Sequence, residues 1–187
     1  LRRLGIGGTA TGTGLNAHPE LHARMVVKLS ELTGLELYES DDLFETMQSM
    51  ADAVDFSASM RTLAVTLNRI ANDFRLLSSG PRTGLGEITL PSLQPGSSIM
   101  PGTVNPVIPE AVLMVCARVV GNDHTIAWAG SSGNFELNVA IPVMGTSLLE
   151  SIRLLTNASR VLADKTVSGL EAREERARAL AESSPAI

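Results

Sequence analysis

A chain of 187 residues with 44 % apolar content can bury a sizeable core, and 3 % aromatic content makes that core aliphatic. A net charge of −5 with both signs interspersed excludes the clustered basic face of a nucleic-acid binder. No apolar run approaches the roughly 18 residues of a membrane span, Arg118 interrupting the best candidate, and a lone cysteine, Cys116, excludes an internal disulfide and suits a reducing cytosol.

Residues 1–16, LRRLGIGGTATGTGLN, hold five glycines and three threonines, so a flexible connection is expected. The run GTATGTG is no phosphate loop. A dinucleotide fingerprint needs a preceding strand and the spacing G-x-G-x-x-G, and a P-loop needs Gly-Lys-Ser/Thr. From Pro19 the chain turns helical, with Glu20 at the positive end of the dipole and Gly34 as the stop. His18 and His22 stand i, i+4, a spacing that could hold a metal on a helix face. With no third ligand nearby, both are expected to be exposed polar residues, and no metal is expected.

The clearest periodicity runs through residues 41–79. Ala53, Phe56, Met60, Leu63, Leu67, Ile70, Phe74 and Leu77 follow steps of three and four and form one stripe along a helix. At 1.5 Å per residue this stripe spans roughly 36 Å, a length typical of bundles. The other face carries Ala64, Val65 and Ala71, so contact on more than one side is expected. Ser79-Gly80-Pro81 ends the helix.

Residues 81–109 show no sustained period, and a loop that long inside a helical protein is functional or disordered. Its small, apolar, charge-poor content, centred on QPGSSIMPGTVNPVIPE, argues against disorder. Pro109 and Glu110 then open a second long helix, EAVLMVCARVVGNDHTIAWAG, with Cys116 as a small core residue. The patch Gly121-Asn122-Asp123-His124 on that helix needs partners, and is expected to face another chain's polar groups or line a cavity. His124 reads as a hydrogen-bonded core or interface histidine rather than a catalyst.

After Gly130–Gly133 a third helical segment is expected from Phe135 to about Val167, with Pro142 kinking or restarting it and Leu148, Ile152, Leu155 and Leu162 as its stripe. The charged end, SGLEAREERARALAESS, reads as an exposed terminal helix. Three long helices, short connections and almost no strand signal make an all-α long-helix bundle. Helices with apolar surface on several faces make poor monomers, so an oligomer is expected.

Gly96-Ser97-Ser98-x-Met100-Pro101-x-x-x-Asn105-Pro106 resembles the active-site loop of the fumarase/aspartase superfamily, GSSxMPxKxNP. The opening GGTATGTGLN, IANDFRLLSSGPRTGLGEI before the loop, VVGNDHTIAW and GNFELNV after it, and the closing AESSPAI are also similar, so the likeness spans residues 1–187. It implies the central helical domain of a class II fumarate hydratase-like lyase, with the active-site loop at 81–109. It also implies a tetrameric helical core in which three chains build each site.

Matched position by position, the resemblance implies that Ser97 is the catalytic base, that Ser98, Thr103, Val104 and Asn105 contact a small dicarboxylate, and that Glu110 supports the site. Thr103 departs from the pattern, standing where the family has lysine. The family's upstream Thr-His motif and C-terminal small domain are not found, so the chain is expected to be partial or to need a partner chain carrying the Thr-His segment. No cofactor is expected. Three readings stay open: a lyase acting on water, as GNFELN and IAW suggest; an aspartase-like or biosynthetic C–N lyase, as RLLSSGPR suggests; or an inactive scaffold subunit because of Thr103.

Overall fold

The computed structural model describes residues 2–96, 99–100 and 104–185. Among them are six α-helices: α1 (Leu21–Thr33), α2 (Leu43–Gln48), α3 (Ala51–Leu77), α4 (Val107–Gly130), α5 (Ile141–Lys165) and α6 (Glu174–Glu182). The strands are two residues each: β1 (Arg3–Leu4), β2 (Tyr38–Glu39), β3 (Ile88–Thr89) and β4 (Glu171–Ala172). The fold is therefore all-α and built on three long helices. Among the described residues no helix is long and apolar enough to cross a membrane. The chain divides into two compact units, the first of residues 1–59 and 122–150, the second of residues 60–121 and 151–187.

In the first unit the glycine-rich opening is ordered, contrary to the flexible connection expected. β1 pairs in parallel with β2, Arg3 opposite Tyr38 and Leu4 opposite Glu39. Gly14 N–H donates to the Gly8 carbonyl at 3.0 Å. Gly12, at φ 86°, lies against the backbone of α2, where a Cβ would come within 2.7 Å of the Phe44 nitrogen. Only glycine fits that position. α1 ends where the sequence implies, at Gly34 in the left-handed conformation, φ 68°.

The stripe from Ala53 to Leu77 lies within one helix, α3, and the residues before it form a separate helix, α2. Asp42 caps α2, accepting from the Phe44 and Glu45 N–H groups at 2.9 and 3.0 Å, and Ser49 is extended, so α3 begins only at Ala51. Against the expectation of two exposed histidines, only His18 is exposed. His22 is half-buried, with Nδ1 on the Ile6 carbonyl and Nε2 at 3.8 Å from Glu39. It fastens α1 to the opening loop and β2.

The first unit's core is Ile126, Ala129 and Met144, with Val54, Ala140 and Leu148 packed against it. Gly130 permits close approach, since a Cβ there would stand 2.6 Å from Val54 Cγ2. The third helical segment starts at Ile141, not Phe135. Asn134 and Leu137 close a turn on each other, Phe135 adopts φ 52°, and buried Asn138 donates to the Ala129 and Ser132 carbonyls while accepting from Ala140 N–H. Pro142 then sits in the first turn, where its missing N–H costs nothing.

The patch on α4 also differs from expectation. Asn122 and Asp123 are buried and partnered inside the chain: Asn122 Nδ2 donates to Glu150 Oε2 at 2.8 Å, and Ser57 Oγ donates to Asp123 Oδ1 at 2.7 Å. Neither needs another chain. His124 is exposed.

In the second unit the buried residues include Met60, Ala64, Ala71, Val112, Cys116, Val119, Leu155 and Leu162. Along α3 the deepest positions are the small ones, Ala64 and Ala71 at 0 % exposure, whereas Leu63 of the large aliphatic stripe remains 46 % exposed. Of the residues read on the other face, Ala64 and Ala71 are buried but Val65 is 58 % exposed, so within the chain the buried face of α3 is shifted from the stripe. Helices approach most closely over small side chains, and the bulkier ones are left at the flanks. Burial pushes the Cys116 thiol above its ordinary value, as fits a small core residue.

Candidate active site

The loop between α3 and α4 is anchored at both ends in the second unit. At its start Ser79 Oγ donates to the Leu76 carbonyl at 2.6 Å and accepts from Leu85 N–H at 3.1 Å, while Glu87 N–H donates to the Leu77 carbonyl at 2.9 Å. Gly84 must be glycine, because a Cβ there would lie 2.2 Å from the Ser79 carbonyl carbon. β3 then pairs antiparallel with β4, Ile88 opposite Ala172 and Thr89 opposite Glu171. Arg173 N–H donates to the Glu87 carbonyl at 2.8 Å. Arg176 spreads its guanidinium over the Leu85 and Gly84 carbonyls, at 2.9 and 3.1 Å.

At the far end, Val107 N–H donates to the Asn105 carbonyl at 2.8 Å and Glu110 N–H to the Pro106 carbonyl at 3.1 Å, which starts α4 directly after the loop. Glu110 lies in the first turn, where the helix dipole favours a carboxylate. Its Oε1 is 3.8 Å from Arg75 Nε near the end of α3. That separation is too long for a hydrogen bond, and both side chains are more than a third exposed, so the pair contributes little.

The two anchored ends border an open cavity of about 250 Å³. Val104, 48 % exposed, and Asn105 line it, together with Ser79, Thr89, Ser92 and Arg173. Of the site residues read from the sequence, Val104 and Asn105 thus share a cavity, while Glu110 stands apart from it on Arg75. Ser97, Ser98 and Thr103 lie outside the described residues. Among the described residues no group of three His, Cys, Asp or Glu side chains could hold a metal ion.

A family model described as lyase matches residues 2–121. The chain belongs to the fumarase/aspartase lyase family. It is 55 % identical over its whole length to the class II fumarate hydratase of Mycobacterium tuberculosis, and 56 % identical over 91 % of its length to fumarate hydratase class II 2 of Pseudomonas aeruginosa. Those matches cover 40 % and 37 % of the relatives, so the chain spans about two fifths of their length. Among solved structures, a cobalt-bound fumarate lyase:delta crystallin from Brucella melitensis superposes with a TM-score of 0.92 at 50 % identity, over 98 % of this chain and 40 % of that one. The class II fumarase of Schistosoma mansoni superposes at 0.90 and 39 % identity, over 93 % of this chain and 40 % of that one. The family expected from the loop is therefore the family found.

Sequence reasoning missed the two arginines that meet the loop. In EAREERAR they look like half of a solvated, charge-alternating helix, and α6 is indeed exposed. Arg173 precedes α6 rather than belonging to it, and β4 stands before it, so the expected terminal helix begins later than read. The one available signal was the break Ser168-Gly169 ahead of the charges, which marks a change of direction.

Proposed function

We propose that the protein carrying this chain is a lyase that removes water from, or adds it to, a fumarate/malate-type dicarboxylate, without a cofactor. The likeness of this whole chain to two fifths of the class II fumarate hydratases carries this reading, and the GSSIMP loop supports it. Ser97 takes the proton from the carbon next to one carboxylate, and the C–H electrons move into that carboxylate to give a doubly charged aci form. The C–O bond on the neighbouring carbon then breaks as those electrons return to form the double bond, and the leaving hydroxide departs as water. An alkoxide at Ser97 is too costly at neutral pH unless donors stabilise it, and N–H groups of the Gly-Ser-Ser loop are the natural ones. Ser98, Val104 and Asn105 contact substrate, and Glu110 supports the site.

The chain supplies the central helical domain, and a Thr-His segment from a partner chain or another part of the polypeptide protonates the leaving group. Large aliphatic side chains left open on the long helices, among them Val65, Met114 and Leu149, together with Trp128 at 77 % exposure, suit burial in a tetrameric core. A light-scattering mass equal to the 19.8 kDa monomer would refute that assembly. The single buried cysteine fits a reducing, cytosolic setting.

Thr103 offers a neutral hydrogen bond where a lysine would grip the aci-carboxylate, and losing such a group typically costs about 10²–10³ in rate. Thr103→Lys is therefore expected to raise kcat, measured by fumarate absorbance with malate as substrate. The same residue favours a second reading, an inactive scaffold subunit. No absorbance change with malate or with aspartate, before or after Thr103→Lys, selects that reading, and a change with aspartate alone selects the C–N lyase.

A further inference from the structure

The cavity beside Val104 and Asn105 has a wall of one electrostatic kind. Among the described residues that line it there is no Asp or Glu, Arg173 carries the one cationic side chain, and Thr89, Ser92 and Asn105 add neutral polar groups. We propose that this cavity is a carboxylate-binding subsite in which the Arg173 guanidinium grips the anion and Asn105, Thr89 and Ser92 supply the neutral donors. The proposal deepens the lyase reading, since it names the cation that holds one end of the dicarboxylate.

Three observations carry it. Arg173 is held in place by its backbone, because it follows β4 and its N–H is fixed on the Glu87 carbonyl at 2.8 Å. Its Nη1 passes over Gly86, lying 3.2 Å from where a Cβ would stand, and that residue is a glycine at φ 59°. The neighbouring arginine does different work. Arg176 spends Nε and Nη2 on two loop carbonyls and so straps the loop, whereas Arg173 borders the cavity. Arg173 also borders a second concavity, which it shares with Glu174, Glu175 and Arg176, but neither glutamate borders the cavity beside Asn105.

The ligand class follows from size and charge. A cavity of about 250 Å³ lies below the roughly 300–1,000 Å³ of drug-sized pockets, so the occupant is a small anion. A planar guanidinium fork matches a carboxylate in a bidentate geometry that an ammonium cannot reproduce. Val104 directly follows Thr103, the position at which the loop lacks its expected lysine. A carboxylate bound there still needs a positive partner, and Arg173 provides it from the C-terminal side.

Succinate, a dicarboxylate that cannot be dehydrated, is the probe. Calorimetric titration of the protein that carries this chain is expected to show succinate binding at least about tenfold tighter than its neutral diamide, succinamide. Arg173→Gln should weaken succinate by about tenfold to a hundredfold, as loss of a charge-assisted contact does, and Arg173→Lys should restore part of it. In the protein that carries this chain, Arg173→Gln should raise the KM for malate by the same factor and change kcat less. Equal affinity for succinate and succinamide, or no binding of either, overturns the subsite without any variant. An Arg173→Gln protein that melts like the parent and binds succinate unchanged overturns it too. Succinate binding that depends on Arg173 in a protein inactive on malate and aspartate supports the subsite and defeats the lyase reading instead.

Discussion

The polar groups buried in the first unit and those bordering the cavity in the second differ in where their hydrogen bonds go. Ser57, Asn122, Asp123 and Asn138 find partners within their own unit, and Asn138 by itself serves the Ala129 and Ser132 carbonyls and the Ala140 N–H. That satisfaction is what a buried polar group needs to avoid its desolvation cost. Around the cavity, Asn105, Thr89 and Ser92 are exposed to a space large enough for a small anion. Polar residues of the same types therefore hold the fold in one place and are available to a ligand in the other. The loop itself is held mostly through backbone carbonyls and N–H groups, which leaves side chains for chemistry.

The comparison can be broken most severely at the loop. On the proposed mechanism, Ser97→Ala is expected to lower kcat for malate dehydration about a thousandfold or more, because the base is then lost. Its melting temperature should stay near that of the parent, and a large drop would mean that the loop serves stability instead. In the first unit the opposite pattern is expected. Ile126→Ala, at a fully buried position, should cost about 2–5 kcal/mol in a urea unfolding series while leaving the KM of the folded protein unchanged. Ser57→Ala removes the donor to buried Asp123 and should cost about 1.5–3 kcal/mol in the same series, again without a change in KM.

The smallest effect concerns Cys116. Its folded-state pKa is raised by burial, so the thiol stays protonated in the native protein at pH values where the unfolded chain begins to ionise. Stability from this group is fully present below the ordinary thiol value and falls as pH rises beyond it. Iodoacetamide at pH 8 should label Cys116 only at the rate of unfolding, and labelling as fast as that of a free thiol would show the second unit's core to be open.

The loop was legible because its words are written in consecutive residues. The words GSSIMP and NP place Ser97, Ser98, Thr103, Val104 and Asn105 in one loop whatever the packing, and Gly80-Pro81 and Pro109 mark its limits through local backbone restriction alone. The same locality made Gly34 a readable helix end. Arg173 and Arg176 were not legible, since their meeting with Gly84–Glu87 joins positions far apart in the chain and nothing in EAREERAR distinguishes a strap from a solvated face.

By itself the sequence determined the helical period, the presence of three long helices and the words of the loop, all properties that depend on neighbours three or four positions away or on fixed φ angles. Tertiary structure alone decided which face of α3 is buried most deeply, where Asn138 and Pro142 restart the chain, and which cation stands beside Asn105. Those outcomes depend on how closely two backbones can approach, and Ala64, Ala71, Gly130 and Gly84 settle that by what they lack.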